Sequence, residues 1–130
     1  MAGETVTAIA GNLTADPELR LTPAWDAMAT FTVASTPRIL DRGTGQWRDG
    51  DTLFLRCTVW RDAAEHVAAS LSCGDRVVAM GRLKPHTFDT SEGQRRTTIE
   101  LDVDEIGASV RYTTVTVGPP PVRTAAPYPE

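Results

Sequence analysis

Between Leu53 and Arg61 apolar side chains recur at every second position, as Leu53, Leu55, Cys57 and Val59. A period of two is that of a β-strand, whose successive side chains point to opposite faces. The pattern predicts a strand with its odd face on a core and with Phe54, Arg56, Thr58 and Trp60 on the other face. Two aromatics roughly 20 Å apart, at about 3.4 Å per residue, with a guanidinium between them, are unusual on a face that meets only water. They suit a single strand of nucleic acid, because bases stack on aromatic rings and arginine holds the phosphates between. A sheet covered on both sides also carries apolar residues at every position, so this strand alone leaves both readings open.

The stretch from Val77 repeats the arrangement. Val77, Ala79, Gly81 and Leu83 are small or apolar, while Arg82, Lys84, His86 and Phe88 follow on the even side, with a parity shift expected at Pro85. Two strands that each set basic groups beside aromatics favour the nucleic-acid face. Further strands are predicted from Glu4 to Gly11, from Ala27 to Ser35 with Ala27, Ala29, Phe31 and Val33 inward, and from Arg96 to Asp104 with Thr97, Ile99, Leu101 and Val103 inward. The even face of the last carries Glu100, Asp102 and Asp104, which repel phosphate, and is not expected to bind.

Asn12 to Pro17 reads as a turn-rich connection. Thr36 to Thr52 has Pro37, Gly43, Gly45 and Gly50 and no apolar period, and reads as a long mobile loop carrying Arg38, Arg42, Trp47 and Arg48. After Trp60 the period lengthens: Asp62 is expected to cap a helix with Glu65 three residues on, and Ala63, Ala64, Val67, Ala68 and Leu71 recur until Gly74. The order strand, strand, strand, helix, strand, strand is that of the OB-fold, an all-β five-stranded Greek-key barrel with one short helix, whose central strands bind oligonucleotides. Ser109 to Val117 reads as an extra strand with no place in a monomeric barrel, and is assigned to pairing across a subunit boundary; the Pro-rich end, 118–130, is expected to be disordered.

The net charge of −4 argues against a nucleic-acid partner until its distribution is considered. Between Arg38 and Arg96 basic residues outnumber acidic ones by two, and the negative excess lies at the two ends. Twelve of the 13 basic residues are arginine, whose planar guanidinium stacks on bases and forks onto phosphate, although Arg-rich codon usage would also raise the count. At 130 residues the chain is one domain with a tail, able to bury roughly two-thirds of its unfolded surface. Cys57 and Cys73 lack metal-ligand spacing, and Cys57 has core parity. Without a signal peptide or long apolar run, a soluble, cytoplasmic protein with no membrane contact is expected.

The strings Gly11-Asn12-Leu13, Asp16-Pro17-Glu18-Leu19-Arg20, Phe31-Thr32-Val33-Ala34, the Phe54–Trp60 strand, Gly81-Arg82-Leu83 and Arg96-Thr97-Thr98 occur in an order that resembles bacterial single-stranded-DNA-binding proteins, from Glu4 to about Val117. The resemblance implies a homotetramer of OB-folds, residues 1–108 forming the barrel, that coats single-stranded DNA in replication, recombination and repair. It places Phe54, Trp60 and Phe88 as base-stacking residues, the positions that parity selects. Ile39-Leu40 stands where the family often has an aromatic, so one stacking platform is either missing or replaced by Trp47. The extra strand resembles the branch in which such a strand clamps neighbouring subunits. The chain ends Ala125-Ala126-Pro127-Tyr128-Pro129-Glu130 without the family's acidic tip, so recruitment of replication and repair proteins through such a tip is not expected.

The candidate site is therefore Phe54, Trp60, Phe88 and Trp47 for stacking, with Arg38, Arg42, Arg56, Arg82, Lys84 and Arg96 on phosphate, and without cofactor, metal or catalytic residues. Two scattered histidines and no paired carboxylates in a cleft give no nucleophile or base for an enzyme. The alternatives are an OB-fold oligomeric interaction module and an RNA-binding paralogue, since stacking does not read the 2′-hydroxyl.

Overall fold

A computed structural model describes residues 3–119. Eight strands and one helix follow in the order β1 Thr5–Leu13, β2 Glu18–Leu21, β3 Ala27–Ser35, β4 Arg38–Asp41, β5 Gln46–Asp49, β6 Leu53–Trp60, α1 Asp62–Ser70, β7 Arg76–Asp89 and β8 Arg95–Ala108. The main sheet runs β1-β7-β8-β6-β3-β2, and a further β1–β3 pairing through Asn12↔Ala34 and Leu13↔Val33 closes it into a ring. The closure includes one short parallel contact, Cys57↔Leu101 and Thr58↔Asp102, between β6 and β8. This closed, largely antiparallel barrel with a single helix is the OB-fold expected from the element order.

Alternation fills the interior. Ile9, Leu13, Ala29, Phe31, Val33, Leu55, Cys57, Val59, Val77, Ala79, Leu101 and Val103 form one buried cluster, and Ala64 and Val67 of α1 plug it from the end. Burial pushes the Cys57 thiol up to about 12, with the nearby Glu100 carboxylate adding to the effect. The thiol donates to the Leu55 carbonyl oxygen at 3.5 Å.

Several expectations are corrected. Leu53 and Ile99 are exposed rather than inward, and Thr97 is exposed too. The last two lie on the distal part of a long β7–β8 hairpin, which leaves the core behind. The parity shift falls not at Pro85, which stays in register with Ile99, but at Met80/Gly81. There Met80 pairs with Glu105 and Gly81 with Val103, so Asp104 is the extra residue of a bulge. Inward residues on β8 switch from Leu101 and Val103 to Ile106.

The stretch 36–52 is not a structureless loop but a two-stranded hairpin, β4–β5, pairing Arg38↔Asp49 and Leu40↔Trp47 around a turn with Gly45 at φ 73°. The edge strand β2, paired to β3 through Leu19↔Ala29, follows directly on the turn-rich connection 12–17 and is an addition to the expected strands. Asp62 does not cap α1: Arg61 holds the cap position at φ 60° without a side-chain bond, while Asp62 and Glu65 favour the first turn through their charge. The helix ends at Ser70 and Leu71 turns extended. Gly74, at φ 89°, donates its N–H to the Leu13 carbonyl.

Residues 109–117 form no strand within the single chain. Ser109 N–H still bonds the Arg76 carbonyl at 2.8 Å, and the Tyr112 ring lies 5.3 Å from the Arg76 guanidinium and 5.2 Å from that of Arg111. Of the Pro-rich end, residues 120–130 lie outside the described residues. Among the described residues no helix is long and apolar enough to cross a membrane.

Candidate nucleic-acid interface

Register across the barrel wall assembles one outer face. On β6, Phe54, Arg56, Thr58 and Trp60 point away from the core and stand opposite Ala34, Thr32, Thr30 and Met28 of β3. The parallel contact places Asp102 of β8 beside Thr58, and the β7–β8 ladder adds Arg82↔Asp102, Lys84↔Glu100, His86↔Thr98 and Phe88↔Arg96. Strands of both halves of the barrel thereby contribute alternate residues to a single surface.

An open groove of about 490 Å³ runs along this surface, lined among others by Met28, Arg56, Trp60, Lys84, His86 and Glu100. Trp60 is 38% exposed and Phe54 64%, while Phe88 at 42% has its ring centroid 6.2 Å from that of His86. Exposed aromatics held on rigid strands are placed to stack on planar groups at little ordering cost. Trp47 sits apart, opposite Leu40 in the β4–β5 hairpin, and is 59% exposed.

Three cations of this face, Arg56, Arg82 and Lys84, are paired with carboxylates. Arg56 Nε lies 3.8 Å from Glu100 Oε1, and Lys84 Nζ 3.4 Å from Asp102 Oδ2. Arg82 is held by three acids: Glu4 at 3.4 Å, Asp102 at 3.3 Å and Asp104 at 3.1 Å. The hydrogen bond from Arg82 to Asp104 is the main cause of its raised pKa and ties β7 to β8, while the Glu4 contact brings in the residue just before β1. Arg38 pairs with Asp49 across the β4–β5 hairpin at 3.4 Å. Arg42 is exposed in the turn of that hairpin, and Arg96 is exposed on β8 opposite Phe88.

Phe54, Arg56, Trp60, Arg82, Lys84, Phe88 and Arg96 thus share one face, whereas Arg38, Arg42 and Trp47 belong to the β4–β5 hairpin. The acidic side of β8, not expected at a binding surface, lies on the same face and contributes Glu100 and Asp102 to the groove. Parallel pairing with β6 is the missing information, since Cys57 and Leu101 come together across about a third of the chain. Met28 and Thr30 also line the groove. Their signal was available, because the strand that buries Ala27, Ala29, Phe31 and Val33 must turn its even residues outward.

Residues 5–109 match the model of the single-strand binding protein family. The single-stranded DNA-binding protein of Mycobacterium tuberculosis is 63% identical over 117 residues, covering 90% of this chain and 71% of that protein. Its counterpart from Mycolicibacterium smegmatis is 60% identical over the same length. Among solved structures, the small single-stranded DNA-binding protein from Streptomyces coelicolor superimposes with a TM-score of 0.75 at 33% identity, covering 88% of this chain and all of that one. With a match that spans the whole barrel and relatives this similar, the chain belongs to the single-strand binding protein family.

Proposed function

We propose that this protein binds single-stranded DNA along the β3–β6–β8–β7 face and coats it without reading base order. The observation that carries the reading is the single outer face on which Phe54, Trp60 and Phe88 stand exposed beside Arg56, Lys84 and Arg96. Bases stack on the three rings and the cations hold phosphate, with the β4–β5 hairpin adding Trp47, Arg38 and Arg42 from one side. Arg82, shared among three carboxylates, serves mainly to brace the face. The protein acts by binding rather than catalysis, in the cytoplasm at the nucleoid, wherever replication, recombination and repair expose single strands.

The test is a titration with dT and rU oligomers over a range of salt. Affinity is expected to fall with a log–log slope of roughly −0.7 for each phosphate contact and to change little with base order. Binding indifferent to salt, or confined to one sequence, would overturn the coat. A preference for rU over dT would instead favour an RNA-binding paralogue.

The same reading includes a homotetramer. Val6, Ala8, Ala10, Val78 and Met80 alternate on the outer side of β1 and β7, where Val6, Val78 and Met80 are exposed. An apolar sheet face of this kind supports subunit contact. Residues 109–117, with Val110, Tyr112 and Val117 exposed, are assigned to a clamp that pairs with a neighbouring subunit. Deleting 109–130 is expected to leave the barrel folded and shift sedimentation toward smaller species at micromolar concentration. A truncated chain that sediments and melts like the parent would remove the clamp.

A further inference from the structure

Two non-glycine residues among those described have positive φ: Trp25 at 66° and Arg61 at 60°. They are 36 positions apart in sequence, yet Arg61 meets the two residues that follow Trp25 at one corner of the barrel. Arg61 N–H bonds the Ala27 carbonyl at 2.8 Å, and its guanidinium reaches Asp26 at 3.9 Å. The neighbours of the two residues complete the corner, because Trp60 stands directly opposite Met28 where the β3–β6 ladder ends.

The turn before β3 holds Trp25 firmly. Thr22 N–H bonds the Asp26 carbonyl at 2.9 Å, Trp25 N–H bonds the Thr22 carbonyl at 2.8 Å, and the Thr22 hydroxyl accepts from Asp26 N–H at 3.2 Å. A turn with a left-handed residue favours glycine or asparagine, and tryptophan is among the poorest choices for it. Nor does the ring compensate by filling the core, for Trp25 is 80% exposed. Strain retained at a rigid, exposed position points to a role outside folding.

We propose that Trp25 is a further base-stacking platform, which continues the DNA track past Trp60 with Arg61 as its phosphate contact. Trp25 lies within roughly 11 Å of Met28 along the chain, given at most about 3.8 Å per residue. With Met28 opposite Trp60 and Asp26 beside Arg61, Trp25 belongs to the same end of the β3–β6 ladder as Trp60, and Arg61, 73% exposed at its side chain, supplies the cation there. An aromatic, a guanidinium and a second aromatic repeat the Phe54, Arg56, Trp60 spacing logic on a new element. The inference rests on the path over Trp60, so the two are tested together.

Trp25→Ala is expected to bind a dT oligomer long enough to reach the corner at least about fivefold more weakly, as one lost stack requires, with an unchanged melting temperature. Trp25→Phe should bind within about twofold of the parent, since any aromatic stacks. Trp25→Gly separates function from folding: it should melt higher than the parent, because glycine relieves the strain, yet bind as poorly as Trp25→Ala. In a Trp47→Phe, Trp60→Phe protein, the remaining Trp25 emission should be quenched by the oligomer. Parental affinity in Trp25→Ala, or emission that the oligomer leaves unchanged, overturns the proposal. Trp60→Ala is measured alongside, and parental affinity in that variant would overturn the path over Trp60 rather than the platform at Trp25.

Discussion

Replacing Phe54 and Trp60 together by alanine is expected to weaken single-stranded DNA binding by about 2 to 6 kcal/mol, at about 1 to 3 kcal/mol for each lost stack. The same change should move the melting temperature little. Phe54 is more than half exposed and Trp60 more than a third, so truncation opens no cavity in the core. Leu55, buried between them on the opposite side of the strand, provides the contrast. Leu55→Ala is expected to cost about 2 to 5 kcal/mol of stability, lowering the melting temperature by roughly 10 °C, while DNA affinity of the folded fraction stays near parental. Calorimetry and a fluorescence titration on the same samples check both. Should the double variant unfold as readily as Leu55→Ala, or bind oligo-dT like the parent, the stacking assignment is wrong.

The placement of these residues on one face was legible because alternation is a local property. Ala29, Phe31 and Val33 on β3, Leu55, Cys57 and Val59 on β6, and Val77 and Ala79 on β7 each bury the parity that their spacing predicts. Elements that bury nothing were not legible. All four residues of β2 are exposed and its alternation, Leu19 and Leu21 between Glu18 and Arg20, is only four residues long, while β5 is exposed throughout and carries no apolar period. Long-range pairing was equally hidden: nothing in the spacing around Glu100 and Asp102 indicates that β8 docks parallel to β6. Leu53 and Ile99 kept the core parity but lie where the barrel wall has ended, a boundary that only the closed sheet defines. Trp25 escaped notice for the opposite reason, since an exposed turn residue announces itself through its backbone angle and not through any pattern.

Gly81→Ala is expected to be the most damaging small substitution in the chain. A Cβ at this position would overlap the backbone oxygen of Asp102 and crowd the Cα of Val103. Neither obstacle is a side-chain end that swings aside, so relief requires the β7 and β8 backbones to separate at the bulge. We expect a loss of about 3 kcal/mol, at the upper end of what overpacking a core costs. The bulge also presents Asp104 to Arg82, so the variant should loosen the brace between β7 and β8 and reduce DNA affinity as well. Thermal unfolding and an oligo-dT titration of the same protein check the two effects. A variant that melts within a degree or two of the parent would show that the close approach at Gly81 is not needed.

Glu100 and Asp102 give the binding face a standing set of internal counter-anions. Phosphate that takes Arg56 from Glu100, or Lys84 from Asp102, replaces one ion pair by another, so each contact gains only the difference between them. The return journey is correspondingly smooth. When a nucleotide lifts away, the cation it leaves finds a carboxylate already within 4 Å and is never stranded without a partner. On the proposed binding path, a strand held in this manner would peel off in many small steps instead of one large one.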